Sequence, residues 1–478
     1  MKLTVDKIAA VTGGVAVRRG RGECELAGTD SRNIEAGKLF VPIVGERFDG
    51  HDYISAALDR GAAGFLFSKE KLNRRDAAKK ADEKNAVAVE VADTLDALGE
   101  LAKAVRDSIE GLKVVAITGS TGKSTTKEMT ASILGGSRRL AKNEGNLNNL
   151  VGLPITFFGM PEELDIAVVE MGTNTPGEIA RLSYIAGPDA ACVTNVGPVH
   201  LEGLRSIEGV AREKGALPEA LNEDGIFAVN CDDPYVRDMA QKTGAKPICY
   251  GLGNERLPGC GEFVTAEDIR AGEDFSTFVL NTGEGFAQTI VAAPGMHNVL
   301  NALAAAALAR AMGEKSDAIA EGLQNWKSMS MRSEVRKIAG KITVLVDCYN
   351  SNPASLKAAM DMFENFNGRR VAVVGDMLEL GDYTEEAHMK AGETAADAGV
   401  ELLVAVGRLA EISRKGFINK IDYNADALVA KDADEVVEML LKRIKKGDVL
   451  LVKGSRLLKL ETVVDAISAR WDDEGEGD

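Results

Sequence analysis

Two hydrophobic patterns alternate along the chain. One is a short apolar run rich in β-branched residues: "KVVAIT" at 113–118, "DIAVVEMG" at 165–172, "AACVTNVG" at 190–197 and "GIFAVNCDD" at 225–233. Runs without polar alternation belong to strands buried on both faces. The other is the helical spacing of apolar and polar positions, as in "TLDALGELAKAVRDSIE" at 94–110. Strand and helix in turn predict a parallel sheet with helices on both faces. An Ala-rich helix is predicted at 294–313, with Gly313 as its stop. A second α/β series follows: "KITVLVDCYN" (341–350), "RRVAVVGDM" (369–377), "ELLVAVG" (401–407) and "GDVLLVKGS" (447–455). Residues 433–446 predict a helix whose basic end, "LLKRIKK", suits the helix dipole. Residues 1–92 carry shorter strand-like pieces, "KLFVPIVG" and "GAAGFLFS", with helical stretches between. The tail "WDDEGEGD" reads as disordered.

With 478 residues the chain is too long for one ordinary domain, and the patterns divide it into three. The expected borders give a small α/β N-terminal domain (1–92), a central domain on a P-loop-type parallel sheet (93–328) and a C-terminal Rossmann-like domain (329–478). The 57 basic and 73 acidic side chains leave a net charge of −16, which argues against a broad basic face for nucleic acid. No run of 18 apolar residues suggests a membrane span. "IAAVTGGVAV" at 8–17 imitates a signal-peptide core, but Asp6, the glycine pair and the basic "RRGRG" after it argue otherwise, so a cytoplasmic protein is expected. The six cysteines (Cys24, Cys192, Cys231, Cys249, Cys260 and Cys348) form no CxxC pair, so reduced thiols and no structural zinc are expected.

The stretch "ITGSTGKST", 117–125, looks like a phosphate loop with the wrong count. The familiar spacing would put its first glycine at 117, which is Ile117; the glycines are Gly119 and Gly122. The order is nonetheless right: a buried strand, small residues, then a helix from Lys123. Free N–H groups and the dipole at a helix start favour an anion. Gly119, Ser120, Thr121, Gly122, Lys123, Ser124 and Thr125 are therefore candidates for nucleotide phosphates, with Lys123 as the cation and Ser124 or Thr125 as a Mg²⁺ ligand. Glu170 closes an apolar strand, where open α/β sheets bind ligands, and could hold Mg²⁺; it could equally be a solvated strand end. His200, one of four histidines, follows another strand. Asn298 could be a plain N-cap or meet an adenine edge. Asp347, Arg332 and the "KGS" at 453–455 sit at strand ends or in loops of the last domain. Lys214, in "GVAREKGALPEAL", reads from its surroundings as a solvated helix lysine.

Taken together these segments resemble the Mur ligases, ATP-dependent amide-forming enzymes of peptidoglycan precursor synthesis, whose phosphate loop is the shortened Gly-x-x-Gly-Lys-Ser/Thr. "TDSRNIEAGKLFVPIVGERFDGHDYI", "NEGNLNNLVGLPIT", "VVEMGTNTPGEIARL", "TNVGPVHLEG", "AREKGAL", "PGMHNVLNALAAAA", "DCYNSNPASLKAAM", "VVGDMLELGDYTEEAH" and "LVKGSR" carry it across nearly the whole chain. Within the family they favour a member that acts on a UDP-muramoyl-tripeptide and adds D-alanyl-D-alanine. The resemblance implies that ATP phosphorylates the terminal carboxylate and that the dipeptide amine displaces phosphate. It implies two Mg²⁺ ions, one at Ser124 and Glu170 and one at His200 and a carbamylated Lys214. It puts Asn298 on adenine, Arg332 on a phosphate and Asp347 on the ribose. Ser31 and Arg32 fall in the motif that meets the UDP-sugar, and Asn148, Asn149, Tyr349, Asn350 and Asn352 in substrate-facing motifs. A monomer is expected. The chain departs from the family in carrying Met331 where a glycine commonly precedes the arginine, and Cys348 between Asp347 and Tyr349. A sister ligase or a folylpolyglutamate synthase shares the loop and domain plan, although the "DSR…GKLF…DGHD" run speaks against the synthase. A nucleotide-gated switch would need the loop but neither the metal residues nor a third domain.

Overall fold

The computed structural model describes residues 2–253, 255–363 and 365–473. They pack as two compact units, Met1–Ala116 with Ser137–Gly172 and Gly177–Asp189, and Ile117–Gly136 with Thr173–Pro176 and Ala190–Asp478.

In the first unit, strands Glu23–Gly28, Lys38–Phe40, Gly64–Ser68 and Val87–Val91 run parallel, with Lys2–Thr4 and Val15–Arg18 as antiparallel edges. Burial of every side chain from Gly64 to Ser68 explains why that strand shows no polar alternation. Helix Thr94–Asp107 begins where Asp93 accepts a hydrogen bond from Asp96 N, and it buries Leu98, Leu101, Ala102 and Val105 along one stripe. Strand Leu140–Lys142 pairs in parallel with Ile166–Glu170.

In the second unit, Ala190–Val193, Ile226–Asn230, Lys246–Tyr250 and the start of Phe263–Ala271 pair in parallel. The sheet runs on past the parallel strands that the sequence marks. Phe263–Ala271, Ser276–Asn281 and Phe286–Val291 form an antiparallel meander on the end of the sheet. The Ala-rich helix spans Met296–Ala311, and Gly313 takes φ 88°, a left-handed position suited to a helix stop. From Ala302 to Ala309 no residue is more than 1% exposed.

The last sheet has the order Glu334–Ile338, Ile342–Asp347, Val449–Lys453, Arg370–Gly375, Leu402–Val406, Asp426–Ala430, parallel after its first hairpin. Alternate residues of each strand serve opposite faces. Val344, Val346, Val371, Val373, Leu450 and Val452 enter one core cluster, and Leu345, Ala372, Val374 and Leu451 the other. Ile342–Asp347, Val449–Lys453 and Arg370–Gly375 are neighbours in parallel register, so the strand ends Asp347, Gly375 and Lys453 share the sheet edge where such folds bind ligands.

Further expectations change. The helix after Asp432 ends at Leu441, with no basic residue in its last turn, so all of the "LLKRIKK" charge lies beyond it. Trp471–Asp473 of the supposed disordered tail belong to helix Glu461–Asp473; the remainder lies outside the described residues. Cys249 and Cys260 form a disulfide, against the expectation of six reduced thiols. The turn after Leu257 folds back so that Cys249 N donates to Glu262 O, which brings the two cysteines together across a spacing that no short motif marks. Cys24, Cys192, Cys231 and Cys348 are free and buried. Among the described residues no helix is long and apolar enough to cross a membrane.

Candidate functional site

Strand Lys113–Thr118 delivers the chain into the 119–122 turn, and helix Lys123–Leu134 starts at once. Gly119 has φ 150° and Gly122 φ 78°. A Cβ on Gly119 would sit 1.8 Å from Thr194 Oγ1, and one on Gly122 2.3 Å from Asn301 Oδ1, so both positions require glycine. The turn is held from the end of the neighbouring strand Ala190–Val193. Thr118 O accepts from Thr194 N at 2.9 Å. Thr194 Oγ1 donates to Thr121 O (2.5 Å), Thr121 N to Asn195 Oδ1 (2.9 Å), and Asn195 Nδ2 to Thr121 Oγ1 (2.8 Å). Ser120 Oγ donates to Gly197 O and accepts from Gly197 N. Lys123 Nζ folds back to Gly119 O at 2.8 Å, which places its charge over the mouth of the turn. Ser124 is buried and Thr125 half-buried on the first helical turn, where backbone donors and the dipole favour an anion.

His200 stands past the same strand end in a left-handed conformation (φ 52°). Its Nδ1 lies 2.5 Å from Glu379 Oε2, and this bond holds the Glu379 carboxyl below its usual range. Lys214 lies on helix Ile207–Glu219 and is only 2% exposed, which overturns its reading as a solvated lysine. Its neighbour Glu213 is also buried and accepts from Thr173 Oγ1.

Asn298 is not the N-cap of the Ala-rich helix. Gly295 holds that position and Asn298 is the third helical residue. Its Nδ2 donates to Pro294 O (2.8 Å), and its Oδ1 accepts from Asn301 Nδ2 (3.4 Å). Asn301, one turn on, thus links Asn298 to the phosphate loop.

In the C-terminal sheet, Asp347 Oδ2 lies 2.7 Å from Lys453 Nζ, whose side chain is 1% exposed. A buried ammonium is costly unless paired, and Asn350 O accepts a second bond from it at 3.0 Å. Ser333 N donates to Asp347 Oδ1 (3.2 Å), and Arg332 stacks over the Tyr349 ring at 4.2 Å, a cation–π contact that orders the guanidinium. Met331 adopts φ 59°, the left-handed region that suits the family's glycine; here a methionine takes it, packed partly against the core. Cys348 is buried in the same core, which raises its thiol pKa to about 12. Asn352 is a cap: its Oδ1 accepts from Ser355 N at the start of helix Pro353–Phe363.

In the first unit, Glu170 is 3% exposed and accepts from Asn148 Nδ2 at 2.7 Å, so the bland reading of a solvated strand end fails. Asn143 clamps the same residue by its backbone, accepting from Glu170 N (2.8 Å) and donating to Glu170 O (2.9 Å). Asn149 Oδ1 accepts from Val151 N and Gly152 N, fixing the entry to helix Gly152–Phe158. Ser31 and Arg32 lie in the turn after strand Glu23–Gly28, with the Arg32 guanidinium bonded to Asp30.

Sequence reasoning missed Asn143, Thr194, Asn195, Asn301, Lys453 as a charge partner, and Glu379. Thr194 and Asn195 had a signal, since they directly follow an apolar strand, and Asn301 lies one helical turn from Asn298. Glu379 had none, because its partner is 179 residues away in sequence.

The Mur ligase family, catalytic domain, matches residues 24–106; the Mur ligase middle domain, 117–309; and the Mur ligase, glutamate ligase domain, 331–456. The UDP-N-acetylmuramoyl-tripeptide--D-alanyl-D-alanine ligase of Bacillus subtilis is 34% identical over 97% of this chain and 98% of its own. MurF from Acinetobacter baumannii superposes with a TM-score of 0.87 at 29% identity, covering 98% of this chain and 99% of that one. MurF ligase from Thermotoga maritima, solved in complex with ADP, gives 0.81 at 27% identity over 94% and 98% of the two chains. With these matches running through all three sheets, and with the shortened phosphate loop folded as a phosphate loop, the chain belongs to the Mur ligase family and has its three-domain α/β fold.

Proposed function

We propose that the protein joins D-alanyl-D-alanine to the terminal carboxylate of a UDP-N-acetylmuramoyl-tripeptide, with ATP cleaved to ADP and phosphate. The carrying observation is the glycine-tight loop at 119–122 between a buried strand and a helix, in a chain that matches D-alanyl-D-alanine-adding relatives over nearly its whole length. Relatives at this coverage favour that reaction over a sister ligase or a folylpolyglutamate synthase.

Carboxylate and amine do not condense unaided at neutral pH. Transfer of the γ-phosphoryl group to the carboxylate oxygen makes that oxygen a leaving group, and the amine of the dipeptide then displaces phosphate. Both reacting groups in the first step are anionic, so the chain's task is to offset repulsion and hold them in line. The 119–125 backbone and Lys123 hold the phosphates. Asn298 faces adenine once its bond to Pro294 is exchanged, Asp347 takes the ribose and Arg332 a phosphate. Asn148, Asn149, Tyr349, Asn350 and Asn352 order the peptide side, and Ser31 and Arg32 the UDP-sugar.

Magnesium would be held by Ser124, Glu170, His200 and a carbamylated Lys214, as two ions in the family plan. The donor set fits. Mg²⁺ keeps waters and takes one or two carboxylates plus substrate phosphates, and the Glu170 carboxylate and Ser124 hydroxyl are oxygen donors of that kind. His200, backed by a carboxylate on its far nitrogen, has the arrangement of a metal-facing histidine. When bound, the ions would supply positive charge to the phosphoryl oxygens. Lys214 as an ammonium has no lone pair to give; reaction with CO₂ would turn it into an anionic oxygen ligand.

The domain borders are placed near 92 and 328. The first falls between strand Val87–Val91 and helix Thr94–Asp107, the second between helix Ser316–Asn325 and strand Glu334–Ile338. A cytoplasmic monomer fits soluble substrates. The test is phosphate release measured across UDP-muramoyl peptides and amino acids or dipeptides. Release should require both the tripeptide and D-alanyl-D-alanine; release with another amino acid instead would assign a sister activity.

A further inference from the structure

His200 and Glu379 come from different sheets of the second unit, and three ties join the segments that carry them. The first is the side-chain bond between His200 Nδ1 and Glu379 Oε2 at 2.5 Å. The second is backbone to backbone, Glu202 N donating to Glu379 O at 3.2 Å. The third is a close approach: Gly381 has φ 55°, and a Cβ there would lie 3.4 Å from Glu202 Cα and N. Both partners also hold an unfavourable backbone, His200 at φ 52° and Glu379 at φ 62°. Non-glycine residues keep such angles only where surrounding structure over-determines them, and they cluster at working sites.

The Glu379 loop is braced from behind. Buried His388 accepts from Met377 N through Nε2 (3.0 Å) and bonds Thr384 O through Nδ1 (2.7 Å). Asp376 accepts from Arg408 N and Leu409 N. The carboxylate is thus presented to His200 from a fixed platform.

We propose that Glu379 is a positioning residue for His200, a carboxylate from the loop after strand Arg370–Gly375 that fixes the imidazole tautomer and leaves Nε2 as the nitrogen that would meet the magnesium. This rests on the reading of His200 given above and goes beyond it. An ionised carboxylate only accepts, so Nδ1 is the protonated nitrogen and Nε2 carries the lone pair. A histidine so held is pre-oriented and a more basic ligand. It follows that the C-terminal segment contributes to the metal site through a side chain that never touches the metal.

The experiment uses the full chain with Mn²⁺ in place of Mg²⁺, in the presence of ADP and the UDP-tripeptide. Pulsed electron paramagnetic resonance reads nitrogen coupling to Mn²⁺, and a titration reads Mn²⁺ affinity. Wild type should show imidazole coupling that His200→Ala abolishes. Glu379→Ala should weaken Mn²⁺ binding about 10-fold or more and diminish the coupling, the range seen when such outer partners are removed. Glu379→Gln, which keeps an oxygen acceptor, should restore most of both, and Glu202→Ala, a change on an exposed neighbour, should match wild type. If Glu379→Ala does not fold, Glu379→Asp replaces it, with the same expected loss. Unchanged coupling and affinity in the Ala or Asp variant would overturn the positioning role while leaving His200 as a ligand. Absence of nitrogen coupling in wild type would instead remove the His200 assignment, and this inference with it.

Discussion

Gly119→Ala is the sharpest test of the phosphate loop. The added methyl would lie 1.8 Å from Thr194 Oγ1, 3.0 Å from Thr194 Cβ and 3.1 Å from Thr194 N. The hydroxyl must therefore leave its bond to Thr121 O, which costs about 0.5–1.5 kcal/mol. The residue must also hold φ 150°, or the turn must move; residues in such regions cost about 1–3 kcal/mol. Together the loss is about 1.5–4.5 kcal/mol, and a loop shifted by about 1 Å should slow phosphate release on the order of 10²-fold. Adding Thr194→Ala removes the worst contact but not the other two. The double variant should then recover about 1 kcal/mol against the additive sum, a coupling expected only of touching groups. Urea unfolding of all four proteins gives the cycle, and calorimetric titration with ADP reads the loop directly. A Gly119→Ala protein with wild-type stability and ADP affinity would show that the turn does not have this geometry.

Lys123→Ala should keep the fold and lower phosphate release roughly 10²–10³-fold, as for loss of one transition-state donor; near-normal turnover in a folded variant would remove its assignment. Lys214→Ala should lose most activity, and small carboxylates such as acetate should restore part of it; full activity without them would end the carbamate proposal. Ala339 and Gly340 lie in the three-residue turn between strands Glu334–Ile338 and Ile342–Asp347 with φ 49° and 62°, so Ala339→Asn should stabilise the protein by about 1 kcal/mol, read from the urea midpoint, and a lowered midpoint would contradict this. Arg139 hydrogen bonds hold the Asp165 pKa at about 2 against its ordinary 3.8. The lowered value means the pair stabilises the fold above pH 3.8 and loses that effect as pH falls through about 2. In Arg139→Ala the Asp165 carboxyl, followed by NMR, should titrate nearer 3.8 and the protein should begin to lose stability at higher pH; an unmoved titration would refute the pairing.

The parts of this fold that could be read in advance were those with local causes. Strand Lys113–Thr118 and helix Lys123–Leu134 have the predicted limits because an unbroken apolar run and a glycine turn mark both ends. The meander from Phe263 to Val291 was not seen: its strand Phe286–Val291 alternates exposed and buried positions, a weaker pattern than an apolar run, and charges interrupt Phe263–Ala271. The site divides the same way. Lys123 is marked by the glycine turn before its helix and Glu170 by the end of its strand, whereas Asn143 and Glu379 act through partners 27 and 179 residues away. Lys214 was misjudged from its surroundings because a polar sequence neighbourhood does not reveal which helix face packs inward.

The Ala-rich helix carries a consequence for how this sequence can drift. Residues 302–309 have no solvent face; at 100° per residue they go twice round the axis, and every side chain meets protein. An ordinary surface helix keeps half its positions open to near-neutral exchange. Here each position is limited to residues of almost the same volume, since one added methylene in a full core already costs about 1–3 kcal/mol. Between distant relatives this segment should therefore change composition slowly and almost entirely among Ala, Gly, Ser and Cys at its alanine positions. Selection on packing alone would produce that pattern, without any of those alanines touching a substrate.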